Sequence, residues 1–107
     1  MHNETQGRQD HLLSTLGLCV RAGKVIFGVP MICEALRRGT PRLVLEAADT
    51  SEGTHKKIID KCTYYHVTCI RLSCDGATLA RALGKSAVLA AVAITDARMA
   101  DLCKQYL

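Results

Sequence analysis

The sequence predicts an α/β chain, a three-layer α/β/α sandwich around a small four-stranded mixed sheet. Two observations carry this. Segments with an apolar period near 3.6 alternate along the chain with short β-prone or continuously apolar runs, and that alternation places helices on both faces of a sheet. The length of 107 residues, 49% of them apolar, suits a single core and is too small for two.

Met1 to Gln9 is polar and aperiodic and is expected as a flexible N-terminal tail, leaving residues 10–107 as one domain. Asp10 can cap a helix with Leu12, Leu13, Leu16, Cys19 and Val20 inward, and Gly23 stops it. Val25-Ile26-Phe27 is β-prone, the shortest strand and an expected edge, and Gly28 ends it. Pro30 takes the first position of a second helix, where its missing N–H costs nothing. Met31, Ile32, Ala35 and Leu36 form its buried stripe, Glu34 and Arg38 stand at pairing distance, and Gly39 closes it. Leu43-Val44-Leu45 reads as the central strand.

Asp49 and Glu52 have capping-box spacing before a helix that buries Ile58, Ile59, Cys62 and Tyr65. Its lysines, Lys56, Lys57 and Lys61, lie among Glu52 and Asp60 and read as a solvated face. Val67 to Leu72 is a strand, and Ser73 to Gly76 a turn. A short helix through Leu79, Ala82 and Leu83 stops at Gly84. Val88 to Ile94 is a buried strand, and Thr95 or Asp96 caps a last helix with Met99, Leu102, Cys103 and Tyr106 inward.

The formal charge of +4 is concentrated in one stretch. From Arg21 to Arg42, the basic residues Arg21, Lys24, Arg37, Arg38 and Arg42 face only Glu34, and the remainder of the chain is balanced. Such a surplus on one turn and its helix suits an anion-binding surface. Arginines late in a helix also complement its dipole, and the sequence leaves both explanations open. No apolar run approaches the roughly 20 residues that span a bilayer, and no signal-peptide core precedes the first helix, so a cytoplasmic location and no membrane partner are expected.

Six cysteines occur without a C-x-x-C pair or finger-like His spacing, so neither a metal nor a cofactor is expected. Cys19, Cys33, Cys62 and Cys103 fall on apolar-periodic positions, where a thiol acts as a small hydrophobe. The stretch from Leu79 to Ser86 imitates the end of a phosphate-binding loop. It lacks the leading glycine and runs helix to strand, the reverse of the required context. His2, His11, His55 and His66 show no nucleophile–base arrangement, and His66 reads as a helix-end cap. With no Trp, one Phe and three Tyr, several at apolar-periodic positions, a base-stacking platform is not expected.

The elements Leu16-Gly17-Leu18, Arg21-Ala22-Gly23-Lys24, Gly28, Ala35 to Gly39 and Leu43 to Asp49 recur together in one family. So do Asp60-Lys61-Cys62, Tyr64-Tyr65-His66-Val67, Gly84-Lys85 and Ala91 to Asp96. The chain resembles, from Asp10 to Leu107, the ribosomal-protein family of kink-turn RNA binders, the L-seven-Ae and L-thirty-e group, and its bacterial ribosome-associated branch above all. The resemblance implies the sandwich fold and a partner that is structured RNA, ribosomal or kink-turn-like, with the ribosome itself as a setting. It further implies that the turn and first helical residues after Gly28 enter a bent RNA, and that the loop at Lys85-Ser86-Ala87 covers a flipped base. Where the family pattern has Asn, Glu and Lys, this chain has Pro30, Met31 and Glu34. Pro30 has no N–H to give, Met31 cannot accept from a guanine amino group, and Glu34 reverses the charge.

The expected function is therefore non-catalytic binding of structured RNA with altered base reading. Lys24, Gly28, Arg37, Arg38, Gly84 and Lys85 are the expected RNA-binding residues. Two alternatives remain. A protein–protein adaptor on the same fold would show an exposed apolar patch at Val29, Met31 and Ile32. A thiol enzyme would need a cysteine of lowered pKa beside a histidine.

Overall fold

A computed structural model describes residues 4–107. The element order is α1 (Glu4–Arg21), β1 (Val25–Phe27), α2 (Val29–Arg38), β2 (Leu43–Glu46), α3 (Glu52–Tyr64), β3 (Cys69–Arg71), α4 (Gly76–Ala82), β4 (Ala91–Ile94) and α5 (Ala97–Lys104). The four strands form one mixed sheet in the order β1-β4-β2-β3. β4 lies antiparallel between β1 and β2, while β2 and β3 are parallel. The expected sandwich is present, with β1 at an edge and β2 inside.

Strand alternation divides the core in two. Leu43, Leu45, Val92 and Ile94 face one side, where Leu12, Leu16 and Cys19 of α1, Leu79 of α4 and Cys103 of α5 pack on them. Val44, Ala91 and Ala93 face the other, under Ile32 and Leu36 of α2 and Ile58 and Cys62 of α3. Both middle strands are wholly buried, which is why they read as unbroken apolar runs.

Several boundaries differ from expectation, each for a local reason. Helix α1 begins at Glu4, so residues 4–9, expected in a tail, are helical; Met1 to Asn3 lie outside the described residues. Asp10 is inside this helix and accepts from Gln6 Nε2 at 3.0 Å. Pro30 is the second helical residue, because α2 starts at Val29 behind Gly28. Helix α3 is capped by Ser51, whose hydroxyl accepts from the Thr54 amide, whereas the Asp49 carboxylate reaches across to the Gly76 amide at 2.9 Å. Of the two cap candidates for α5, Asp96 does the capping and Thr95 bonds instead to the Lys24 carbonyl. The last strand begins at Ala91 rather than Val88 because Leu89 is tied to the Gly76 carbonyl and Val88 points to solvent. Leu102 of α5 and Met31 of α2, both expected inward, are exposed.

The two rims of the sheet gather different parts of the chain. At the upper rim β1, β2 and β3 finish and β4 begins, and helices α2 and α3 start there. At the lower rim the same three strands begin and helices α1, α2 and α3 end.

Candidate nucleic-acid interface

Gly28 marks the upper rim. Its φ of 85° lies where only glycine sits without strain, and its amide donates to the Ala91 carbonyl. The conformation turns the chain from β1 straight into α2 and leaves the helix start with no side-chain cap. Amides of the first turn, at Val29 and Met31, therefore face outward beside the positive end of the helix dipole, and Pro30 removes one donor from the set.

Lys85 stands on the other flank of the turn. Gly84, at φ 73°, closes α4 and the Lys85 amide bonds back to the Ala80 carbonyl. The Lys85 ammonium then lies 4.2 Å from the centre of the Phe27 ring, at the last residue of β1. Such an exposed cation–π contact is worth only about 0.5–1 kcal/mol, so a phosphate can compete for the lysine. The loop is seated by close backbone packing: a Cβ on Gly76 would come within 2.6 Å of the Leu89 carbonyl oxygen. Met31, 62% exposed, and Val88, 68% exposed, add apolar contact on either side.

Behind this rim lies a polar cluster that the sequence did not flag. Glu46, fully buried at the end of β2, has both carboxylate oxygens 2.8 Å from His55 Nδ1, and Arg71 Nε stands 3.9 Å away. Arg71 also donates to the Thr50 carbonyl at 3.0 Å, so one buried acid holds the end of β3 and the loop into α3. The detectable signal was an acid continuing an all-apolar strand.

The remaining expected contacts are elsewhere. Lys24 precedes β1 at the lower rim, where its carbonyl accepts from Thr95, and Arg37 and Arg38 close α2 at the same rim. Gly28, Gly84 and Lys85 thus form one group, and Lys24, Arg37 and Arg38 another. The single basic strip expected from the sequence is not formed, because β1 carries the chain the full depth of the sheet, roughly 13 Å, between Lys24 and Gly28. Arg42 joins the lower group: its amide bonds to the Ile94 carbonyl, and it has no ion-pair partner among the described residues. Glu34 bonds Arg37 at 3.0 Å and Arg38 at 3.4 Å. Its carboxylate is therefore turned down the helix, away from the upper rim, which removes the repulsion expected there.

His66 does not cap α3 with its ring. It takes a left-handed conformation at φ 58°, and its amide bonds to the Thr63 carbonyl. The adaptor patch is not assembled either, since Ile32 is buried and Val29 half-buried, leaving Met31 alone of the three exposed. All six thiols are free. Burial pushes Cys19 and Cys74 up and takes Cys103 to about 12. Cys62 is lowered, through a hydrogen bond with the Cys69 thiol rather than a histidine, so the arrangement a thiol enzyme needs is not made there. No group of side chains among the described residues is placed to hold a metal, and no described helix is long and apolar enough to cross a membrane.

Known proteins share both the sequence pattern and the fold. Residues 10–104 match the Ribosomal protein L7Ae/L30e/S12e/Gadd45 family. The RNA-binding protein YlxQ of Bacillus subtilis (strain 168) is 40% identical over 86 residues, covering 80% of this chain and 84% of the relative. The large ribosomal subunit protein eL30 of Yarrowia lipolytica is 31% identical over 96 residues, covering 77% of this chain and 88% of that one. Among solved structures, a protein of unknown function from Bacillus halodurans C superposes with a TM-score of 0.76 at 30% identity, over 87% of this chain and 96% of its own. The Giardia lamblia 15.5kD RNA binding protein gives the same TM-score of 0.76 at 16% identity, over 99% of this chain and 87% of its own, a likeness of fold.

Proposed function

Because the chain belongs to the Ribosomal protein L7Ae/L30e/S12e/Gadd45 family, we propose that it is a non-catalytic, ribosome-associated cytoplasmic protein that binds structured RNA of the kink-turn kind at the upper rim. One observation carries the choice of rim: Gly28 opens the uncapped start of α2 beside the Lys85 ammonium. Helix starts offer backbone N–H groups and a positive dipole end to phosphate, and crevices at the carboxyl ends of sheet strands are where α/β folds bind ligands. Gly28 lets an RNA backbone approach closely, Lys85 grips phosphate, and Gly84 sets the loop that carries it.

Base reading is weak at this rim. Pro30 and Met31 occupy the first turn, and neither offers the paired donor and acceptor that a bidentate base contact needs. Most of the affinity is then phosphate contact, which falls steeply with salt. Titration of a kink-turn RNA and a straight duplex of equal length, at about 50 and 200 mM salt, tests this. Both affinities should drop, and the preference for the bent RNA should shrink at the higher salt. A preference kept in full would show that base reading survives Pro30 and Met31.

A further inference from the structure

The lower rim carries a groove of about 390 Å³ whose lining includes Arg37, Arg38, Gly39, Arg42, His66 and Thr68, with no carboxylate among its lining residues. Dipole complementation accounts for Arg37 and Arg38, which end α2, but not for Arg42, which lies outside any helix between buried Pro41 and Leu43. Glu34 meets the two helical arginines through exposed pairs, and pairs of that kind are weak enough to yield to a phosphate. Tyr65 also lines the groove, and its ring meets Tyr64 edge-on at 4.8 Å. Tyr64 itself is 74% exposed. Tyr64 lies next to the groove rather than in it, in a hollow shared with Tyr65, Lys57, Asp60 and Lys61, and offers an exposed aromatic face that a base leaving the groove can cover.

We propose that this groove is a second RNA site, which takes a single-stranded segment with its phosphates on Arg37, Arg38 and Arg42 and a base stacked on Tyr64. Guanidinium groups meet phosphate oxygens in pairs, and base-on-aromatic stacking beside a cationic track is how single strands are held without sequence reading. A protein partner fits less well, since protein interfaces centre on apolar anchors, whereas here the apolar side chains Leu36 and Pro41 are buried, Val67 and Tyr65 are half-buried, and the fully exposed aromatic is at the margin. The proposal rests on the chain being an RNA binder but uses a surface at the opposite rim from the bent RNA, so one molecule can hold two RNA segments at once.

The test is fluorescence anisotropy of the full chain with a labelled oligouridylate of about ten nucleotides, alone and with saturating kink-turn RNA. The oligouridylate should bind, and the kink-turn RNA should not displace it. Arg38→Glu with Arg42→Glu should weaken it roughly tenfold or more, through lost phosphate contacts. Tyr64→Ala should weaken it about fivefold while Tyr64→Phe holds it near the native value. Kink-turn binding by the same variants, unchanged within about twofold, shows that they are folded. Competition between the two RNAs at equal stoichiometry, indifference to these substitutions, or tighter binding of an oligoglutamate peptide at the groove would overturn the proposal. Wild-type binding to kink-turn RNA is read separately, so either site can fail without the other.

Discussion

Where β1, β2 and β3 finish, two helices begin and Lys85 overhangs a glycine turn; where those strands start, the same helices end among Arg37, Arg38 and Arg42. The upper rim draws its positive potential from backbone amides and dipole ends, which no count of charged residues registers. The lower rim holds most of the formal surplus, yet part of it is spent against helix C-termini and Glu34. Formal charge and backbone dipoles are thus different sources of positive potential, and this chain puts them at opposite rims of its sheet.

The comparison breaks most readily at Gly76. Gly76→Ala forces a Cβ to within 2.6 Å of a backbone oxygen in the loop carrying Val88. It should cost about 2–3 kcal/mol of stability in denaturant melts and loosen kink-turn binding, with oligouridylate binding at the lower rim kept under native conditions. Next in size is His55→Ala, which strips the closest partner from a buried carboxylate and should cost about 2 kcal/mol; Glu46→Gln, which removes the charge while keeping an acceptor, should cost less. Gly28→Ala, at φ 85°, should cost about 1–2 kcal/mol and weaken the upper rim alone.

Smaller effects sharpen the contrast. Lys85→Ala should lower kink-turn affinity about threefold to tenfold and flatten its salt dependence by close to one counterion, while loss of the Phe27 contact lowers the melting temperature by only a few degrees. Glu34→Lys should tighten oligouridylate binding modestly at the lower rim by freeing two arginines and adding a cation, with kink-turn binding at the upper rim changed less. No change at the lower rim would show that the end of α2 does not face RNA.

Local rules were legible in the sequence. Gly23 and Gly39 stop their helices in left-handed conformations, Asp96, one of two expected caps, starts α5, and the run at 43–45 and the second half of the run at 88–94 are the central strands. Each depends on residues within one helical turn or one strand. What sequence adjacency hid was depth. Lys24 and Gly28 are four positions apart but end up at opposite rims, because an extended strand advances about 3.3 Å per residue. Asp49 looked like a helix cap and instead holds Gly76, a partner 27 positions away that no local pattern predicts. Glu46 was hidden for the same reason, its partners His55 and Arg71 arriving from another helix and another strand.

Backbone amide signals of the isotopically labelled chain, followed as kink-turn RNA is added, separate the two rims residue by residue. Docking at the upper rim predicts that Gly28 to Ile32 and Gly84 to Leu89 shift first and saturate together, while Arg42, His66 and Thr68 stay in place. Shifts that begin at Arg37 to Arg42 and leave Gly28 and Lys85 unmoved would place the bent RNA at the lower rim and contradict it.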